Sequence, residues 1–230
     1  VSAGSFGTLK HTVKGGTGLL YDHFAFDARY SNIRSDGFID RASARMSSYY
    51  ASAAFYADNT LIKFQAFGNS EKTYQAWNGV PSYLLDTDSY NPCGEYEEDG
   101  VKKFYNNQTD NYWQHNYHLM ASQRIGDFWN MNLTLHYTDG NGYYEDYKSK
   151  AKFSSYKLPE YIDPEGNTVK KTDLVRRKWL DNYFYGAVYS ANYQHDNTRL
   201  TLGTAVNNYV GDHFGRVMWT KSANVLPQPD

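Results

Sequence analysis

Residues 129–137 read Trp-Asn-Met-Asn-Leu-Thr-Leu-His-Tyr, with apolar and polar side chains in alternation. Successive side chains of a β-strand point to opposite faces, whereas an amphipathic helix repeats every three to four residues. The stretch therefore predicts a strand that carries Met131, Leu133 and Leu135 on one face and Asn130, Asn132, Thr134 and His136 on the other. Its length matches the roughly nine to eleven residues with which a barrel strand crosses a bilayer.

Alternation of this kind recurs along the chain, and no segment with a helical period competes with it. Phe24, Phe26 and Ala28, for example, alternate with Asp27 and Arg29. The sequence predicts an all-β, antiparallel fold of about eight strands, over residues 5–16, 24–32, 46–57, 61–73, 113–125, 129–137, 180–194 and 198–209.

The connections between these strands alternate between short and long. Tight turns rich in Asp, Asn and Gly are predicted at residues 21–23, 57–60, 125–128 and 195–198. The longer connections are residues 33–45, 74–112, 138–179 and the tail from 211, and two of them run well beyond an ordinary loop. Strict alternation places all long loops at one end of the sheet, which is typical of an up-and-down transmembrane β-barrel.

The composition agrees with a β-protein that has wet surfaces. The chain has 230 residues, 23 of them Tyr, and 17% are aromatic, although the mean hydropathy is only -0.74. So many aromatics argue against disorder, and a membrane barrel needs only one apolar face. A formal charge of -2 argues against a nucleic-acid partner, and the single cysteine excludes an intramolecular disulfide.

Aromatic side chains gather near the predicted strand ends, as they do at the two interfaces of membrane barrels. We expect two girdles. One would lie near the short turns and contain Tyr21, Phe24, Phe128, Trp129, Tyr183 and Tyr185, and the other would lie near the long loops and contain Tyr112, Trp113, Tyr137, Tyr143 and Tyr144.

No sequence motif points to catalysis, to a cofactor or to a metal. The nucleophile elbow, the P-loop, the dinucleotide fingerprint and the HExxH motif are all missing from the sequence. His115 and His118 are three apart on a predicted strand and so face opposite ways. Asp86, Asp88 and the acidic run 95–99 are interpreted as a solvated loop. We expect a protein that is not an enzyme and has no cofactor and no metal site.

Five residues are the candidates for ligand binding, because exposed aromatics can stack on a sugar or a planar chelate. Tyr74, Trp77 and Asn78 lie where a predicted strand enters the loop 74–112, and Tyr143 and Tyr144 lie in the loop 138–179. These two long loops are expected to form the ligand-facing surface. The alternative is that the aromatics anchor the interface and the loops only shield the barrel mouth.

Several segments together resemble TonB-dependent outer-membrane receptors, over nearly the whole chain. Gly4–Thr8 resembles the first barrel strand that follows the plug, and residues 35–42 resemble the first external loop. The other similar segments are residues 74–81, 107–114, 142–145, 174–182 and 211–215.

This resemblance implies that residues 1–230 form the early part of one large barrel domain, with short periplasmic turns and long extracellular loops. The plug and the TonB box are not recognisable in the chain, and the tail 226–230 is Pro-rich. The family takes up a scarce ligand, such as an iron-siderophore, haem, cobalamin or a glycan, through the outer membrane of Gram-negative bacteria. The partners implied are outer-membrane lipid and lipopolysaccharide, that ligand, and the TonB complex through the plug.

Two other hypotheses stay open at this stage. A complete eight-stranded barrel with a structural or adhesive role would need its first and last strands to pair. A soluble carbohydrate-binding or hydrolytic β-sandwich, with Trp77 in a sugar platform, would need two packed sheets and a shared dry core.

Overall fold

The computed structural model describes residues 1–78, 82–84 and 89–222. Within them, nine strands form one antiparallel sheet in chain order. These are β1 (Ser2–Ala3), β2 (Leu9–Gly16), β3 (Phe24–Ser35), β4 (Ala44–Ala57), β5 (Thr60–Tyr74), β8 (Thr109–Ile125), β9 (Trp129–Lys152), β12 (Lys171–His195) and β13 (Thr198–Thr220). The all-β prediction is confirmed, and so is each of the eight predicted strands. Gly79, Val80, Pro81, Asp86, Asp88 and the tail 226–230 lie outside the described residues.

Four short strands and two 3-10 turns lie in the connections. Loop 2 (residues 75–108) contains the turn Ser82–Leu84 and a hairpin of β6 (Glu95–Glu98) and β7 (Val101–Phe104). Loop 3 (residues 153–170) contains the turn Phe153–Tyr156 and a hairpin of β10 (Tyr161–Ile162) and β11 (Thr168–Val169). Both loops lie at one end of the sheet, together with loop 1 (residues 36–43), and the tight turns lie at the other end. The predicted alternation of short and long connections is therefore confirmed. No described helix is long and apolar enough to cross a membrane.

Three strands are much longer than predicted, and the predicted loop 138–179 is wrong. β9 continues to Lys152, β12 begins at Lys171, and the two pair along this extension. Residues 138–142 contain Asp, Asn and two Gly, which strands disfavour. The backbone hydrogen bonds that β9 makes to neighbours on both sides override that preference. β13 likewise reaches Thr220, so the predicted tail from residue 211 is mostly strand.

Cross-strand pairs place every second residue on the same face, and the two faces differ sharply in character. One row across seven strands consists only of apolar residues: Phe26, Ala53, Phe64, Leu119, Leu135, Ala187 and Val206. The adjacent row on the opposite face carries Asp27, Ser52, Gln65, His118, His136, Gly186 and Asn207. We call these the apolar face and the polar face. The predicted facing of Leu133 and Asn132 is confirmed.

Aromatic rings mark both limits of the apolar rows. At the turn end, Phe24 contacts Phe55 at 5.4 Å between centroids, and Trp129 contacts Tyr193 at 5.0 Å. Towards the loop end, Tyr137 lies 6.3 Å from Tyr117. Trp129 and Tyr137 are eight residue steps apart, which is about 27 Å along the strand.

Tyr183 and Tyr185 belong to the loop-end boundary rather than to the turn end, which corrects the prediction. Tyr185 pairs with Tyr137, and Tyr183 pairs with Asp139. The predicted strand 180–194 already follows the long connection 138–179, so its first residues lie at the loop end even with the predicted bounds. Tyr112, Trp113, Tyr143 and Tyr144 lie further towards the loops, on the extensions of β8 and β9.

The sheet is open, and its described buried core is small. No pairing joins β1 to β13, so the described residues do not form the complete eight-stranded barrel. Apart from this sheet, the described part of the chain has only two two-stranded sheets, so it contains no second large sheet that could make a sandwich with a dry core. The buried apolar cluster consists of Phe153, Leu158 and Leu174, where loop 3 packs on β12. Apolar rows outside this cluster are about half exposed, with Phe64 at 45% and Leu135 at 44%.

Candidate functional site

A groove lies on the polar face beyond Tyr137, where β8, β9, β12 and β13 extend towards the loops. Two cross-strand rows line a cavity of about 460 Å³ there. The rows consist of Tyr112, Gly142, Leu180 and His213, and of Asp110, Tyr144, Lys178 and Gly215. The cavity is also bordered by Asn111, Tyr143, Trp179 and Phe214. These residues alternate with the two rows along the same strands, so their side chains point to the opposite face. Long strands, rather than loops, therefore position most of this site.

Gly142 keeps the centre of the groove open. A Cβ atom built at this position would lie 2.3 Å from the carbonyl oxygen of Asn111 and 2.9 Å from the ring of Tyr112. Any larger residue would therefore displace β8 or the Tyr112 ring. The glycine that disfavours a strand in the sequence is thus explained by the close approach of the neighbouring strand.

Aromatic rings and a cation meet at the middle of the groove. The indole of Trp77, in loop 2, makes an edge-to-face contact with the ring of Tyr144, with 5.3 Å between the ring centroids. The Nζ atom of Lys178 lies 5.7 Å from the same ring, within cation–π range. Trp77 is 56% exposed, so its indole remains accessible beside Tyr144.

A second cavity, of about 400 Å³, continues the groove towards loop 3. It shares Lys178 and Gly215 with the first cavity, and it adds Ser155, Tyr156, Lys157, Arg176, Arg177, Arg216 and Val217. The two cavities together are called the polar-face groove below. The apolar packing of Phe153 and Leu158 on Leu174 fixes the segment of loop 3 that carries Tyr156 and Lys157.

Arg176 is held in one orientation inside this second cavity. Its Nε and Nη2 atoms donate to the two carboxylate oxygens of Asp146 at 2.7 and 3.0 Å. Its Nη1 atom donates to the hydroxyl of Tyr156 at 3.1 Å. The hydrogen bonds from the buried Asp146 carboxylate raise the pKa of Arg176 above its ordinary value. The guanidinium is thus a permanent, oriented cation.

Loop 2 is anchored on the other face, beyond the apolar rows. Glu145, which is 3% exposed, accepts hydrogen bonds from Arg177 at 2.6 Å, Tyr105 at 2.5 Å and Asn107 at 2.6 Å. Gln75 donates to the main-chain oxygen of the same Glu145 at 2.9 Å. We call this set of contacts the loop-2 anchor.

The pKa values of the anchor follow from its geometry. Burial raises the pKa of Glu145, but the hydrogen bonds from Tyr105, Asn107 and Arg177 and the charge of Arg177 outweigh burial, so the pKa lies below its ordinary value. Burial, and then the neighbouring Glu145 carboxylate, raise the pKa of Tyr105. Glu145 is therefore ionised and Tyr105 is protonated over the physiological range.

The structure separates the five candidate residues instead of joining them in one site. Trp77 and Tyr144 meet in the polar-face groove. Tyr143 lies on the opposite face of β9, where it packs on Trp179 at 4.4 Å. Tyr74 is buried, and its hydroxyl donates to the main-chain oxygens of Cys93 and Tyr105. Asn78 is exposed in loop 2. Tyr143 and Tyr144 both belong to a strand, which corrects their predicted loop position.

Sequence reasoning missed the cations of the groove. Arg176, Arg177 and Lys178 are consecutive, and in a strand the first and third of them share a face. That signal was readable only if residues 171–179 were recognised as a strand. The contribution of Lys157 depends on the fold of loop 3, and no local pattern predicts it.

The chain matches no protein-family model and no curated protein. Among the described residues, no group of three or more His, Cys, Asp or Glu side chains is placed to hold a metal ion. The two faces of the sheet and the groove are therefore the features that bear on function.

Proposed function

We propose that the chain is part of the wall and mouth of an outer-membrane β-barrel of the TonB-dependent receptor type, which takes up a scarce ligand. One observation carries the proposal: an apolar row crosses seven strands, half exposed, directly opposite a polar row. An exposed apolar surface of this extent indicates contact with a membrane or with another protein. In a barrel wall, the bilayer contacts the apolar face and the polar face lines a wet lumen.

The limits of the apolar rows support a membrane rather than a protein cover. Aromatic rings border them at both ends, at Phe24 and Trp129 and again at Tyr117 and Tyr137. Membrane barrels carry aromatic girdles on both sides of an apolar band about 25 Å tall. On this proposal the tight turns are periplasmic, the loops are extracellular, and the loop extensions stand above the membrane of a Gram-negative cell.

The polar-face groove then opens into the lumen at its outer mouth and is the proposed point of ligand capture. Tyr112, Tyr144 and Trp77 offer rings for stacking, and Lys178 offers a cation beside them. The ligand would be a scarce small molecule or glycan, released inward when the plug of the complete receptor is moved by the TonB complex. The chain itself would bind and would do no chemistry.

The test is the depth-dependent quenching of a fluorophore on adjacent residues. Leu135→Cys and His136→Cys are made in a Cys93→Ser background, labelled with NBD, and folded into vesicles that contain brominated lipid. We expect strong quenching at position 135 and weak quenching at 136, because adjacent residues of a strand face opposite ways. Equal quenching at the two positions would overturn the membrane assignment.

A further inference from the structure

The loop-3 half of the groove has a surplus of positive charge. Five cationic residues border this cavity, and no carboxylate residue does. Arg177 and Arg216 turn their side chains to the opposite face, where Arg177 pairs with Glu145 and Arg216 lies over the ring of Trp179. Three cationic side chains remain for the cavity: Lys157, Arg176 and Lys178. Asp146 is paired with Arg176, and Glu145 is paired with Arg177. Within the described residues, Lys157 and Lys178 form no ion pair. Two uncompensated ammonium groups therefore border one cavity.

Lys157 occupies a backbone conformation that lysine seldom adopts. Its φ is 55° and its ψ is 28°, at the C-terminal end of the turn Phe153–Tyr156. This left-handed region favours glycine or asparagine. The residue that ends this turn is thus also one that borders the cavity.

Arg176 and Tyr156 add donors that are already oriented. A guanidinium has five N–H groups, of which Asp146 takes two and Tyr156 takes one, so two remain. The hydroxyl of Tyr156 accepts from Arg176, which leaves its own hydrogen free to donate. Oriented N–H and O–H donors beside ammonium groups are the arrangement that recognises oxyanions.

We propose that this cavity is an oxyanion subsite, in which Lys157, Lys178 and the Arg176–Tyr156 pair bind a carboxylate, sulfate or phosphate group. The remainder of the ligand that carries this group lies along the rings of Tyr144 and Trp77, and only this second statement rests on the proposed function. The ligand class is thus a ring-containing acid, with an acidic saccharide as the simplest example.

The experiment measures binding by calorimetry to the full chain in detergent. The probes are trigalacturonate, neutral maltotriose and inorganic phosphate. We expect trigalacturonate to bind at least about tenfold more tightly than maltotriose, since hydrogen bonds to a charged group are roughly twice as strong as those between neutral groups. Equal affinity for the two trisaccharides would overturn the subsite.

The chain offers a closely matched pair of variants. Lys157→Gly removes the ammonium and relieves the left-handed backbone, so the fold of loop 3 should survive. Lys150→Gly makes the same change at another left-handed lysine, with φ 50°, that does not line the cavity. We expect about tenfold weaker trigalacturonate binding in Lys157→Gly and no change in Lys150→Gly. Equal losses would contradict the proposal.

Lys178→Met is a second variant that keeps the packing on Tyr144 while it removes the charge. It too should weaken the binding of trigalacturonate by a larger factor than that of maltotriose, and an unchanged trigalacturonate affinity would count against Lys178 and the subsite. Inorganic phosphate tests whether the subsite binds an anion that is not part of a saccharide. Phosphate binding to the unmodified chain that is lost in Lys157→Gly would support the subsite for such a ligand. Failure of the proposed membrane function would appear separately, as equal quenching at positions 135 and 136.

Discussion

At the scale of single residues, the stability cost of an introduced charge depends on the face of the strand that carries it. Leu133 lies on the apolar face, and Asn132 lies on the polar face, where it donates to Ser190 at 3.2 Å. On the proposed function, Leu133 faces the bilayer and Asn132 faces a wet lumen. We then expect Leu133→Arg to cost about 2–4 kcal/mol in vesicles, because an arginine near the bilayer midplane loses its hydration, and Asn132→Arg to cost little. The measurement is urea unfolding in lipid, and equal costs for both variants would contradict the membrane assignment.

Two adjacent tyrosines give a second test at this scale. Tyr144 lies in the groove with Trp77, and Tyr143 packs on Trp179 on the other face. Tyr144→Ala should weaken trigalacturonate binding about two- to tenfold, since an aromatic contact contributes about 0.5–1.5 kcal/mol. Tyr143→Ala is the control and should leave that affinity unchanged. A larger loss in Tyr143→Ala would move the site to the opposite face.

At the residue scale, the sequence correctly predicted the face of the sheet to which a side chain points. An alternating pattern assigns the residues of both faces of a strand at once. It assigned Leu133 and Asn132 correctly from their neighbours alone. It grouped Tyr143 with Tyr144 in one loop, because the run around Gly140 and Gly142 has no strand pattern. Pairing to two neighbouring strands decides that segment, and pairing partners are distant in the sequence.

At the scale of elements, the loop-2 anchor makes one connection sensitive to acid. The pKa of Glu145 is lowered in the folded state, so its contribution to stability is complete above the ordinary carboxyl pKa of about 4.3. This contribution is lost as the pH falls through the lower, folded value. We expect the amides of loop 2 to lose hydrogen-exchange protection below about pH 4 while β9 keeps its protection.

Glu145→Gln is the control for that acid response. The amide keeps the shape of the side chain but removes its charge, so the hydrogen bond and ion pair to Arg177 weaken at every pH. We expect loop 2 in this variant to exchange faster at neutral pH, with about 1.5–3 kcal/mol less protection, and to respond less to acid. An acid response equal to that of the unmodified chain would place the responsible carboxyl elsewhere.

The two long loops pack on opposite faces of the sheet, and the sequence did not predict this. The ring of Tyr96 in β6 stacks on Tyr147 at 4.4 Å, on the continuation of the apolar face. Loop 3 places Tyr156 on Arg176, on the continuation of the polar face. Length and composition identified both segments as loops, but the face on which each packs depends on contacts far apart in the chain.

At the scale of the whole molecule, the open sheet exposes a long edge. β13 is 23 residues long, and nearly all of its side chains are exposed. A long strand with unpaired backbone groups and apolar residues such as Val206 is a ready template for another strand. On the proposed function, further barrel strands pair with it, and the polar-face groove becomes part of an enclosed lumen.

The opposite placement of the loops also decides which of them takes part in capture. Both long loops were expected to face the ligand, yet no described residue of loop 2 lines the groove. Trp77 only borders it, through its contact with the ring of Tyr144. We expect deletion of residues 82–103, which keeps Trp77 and the Tyr105 and Asn107 contacts of the anchor, to leave trigalacturonate affinity within about twofold.

Replacement of residues 154–158 by a Gly-Ser linker should abolish the preference for trigalacturonate over maltotriose, because Lys157 and Tyr156 are lost. Calorimetry on both variants, with circular dichroism to verify folding, makes the comparison. If the variant that lacks residues 82–103 folds but no longer binds trigalacturonate, then loop 2 binds the ligand. The groove would then be part of the path through the barrel and not the binding site.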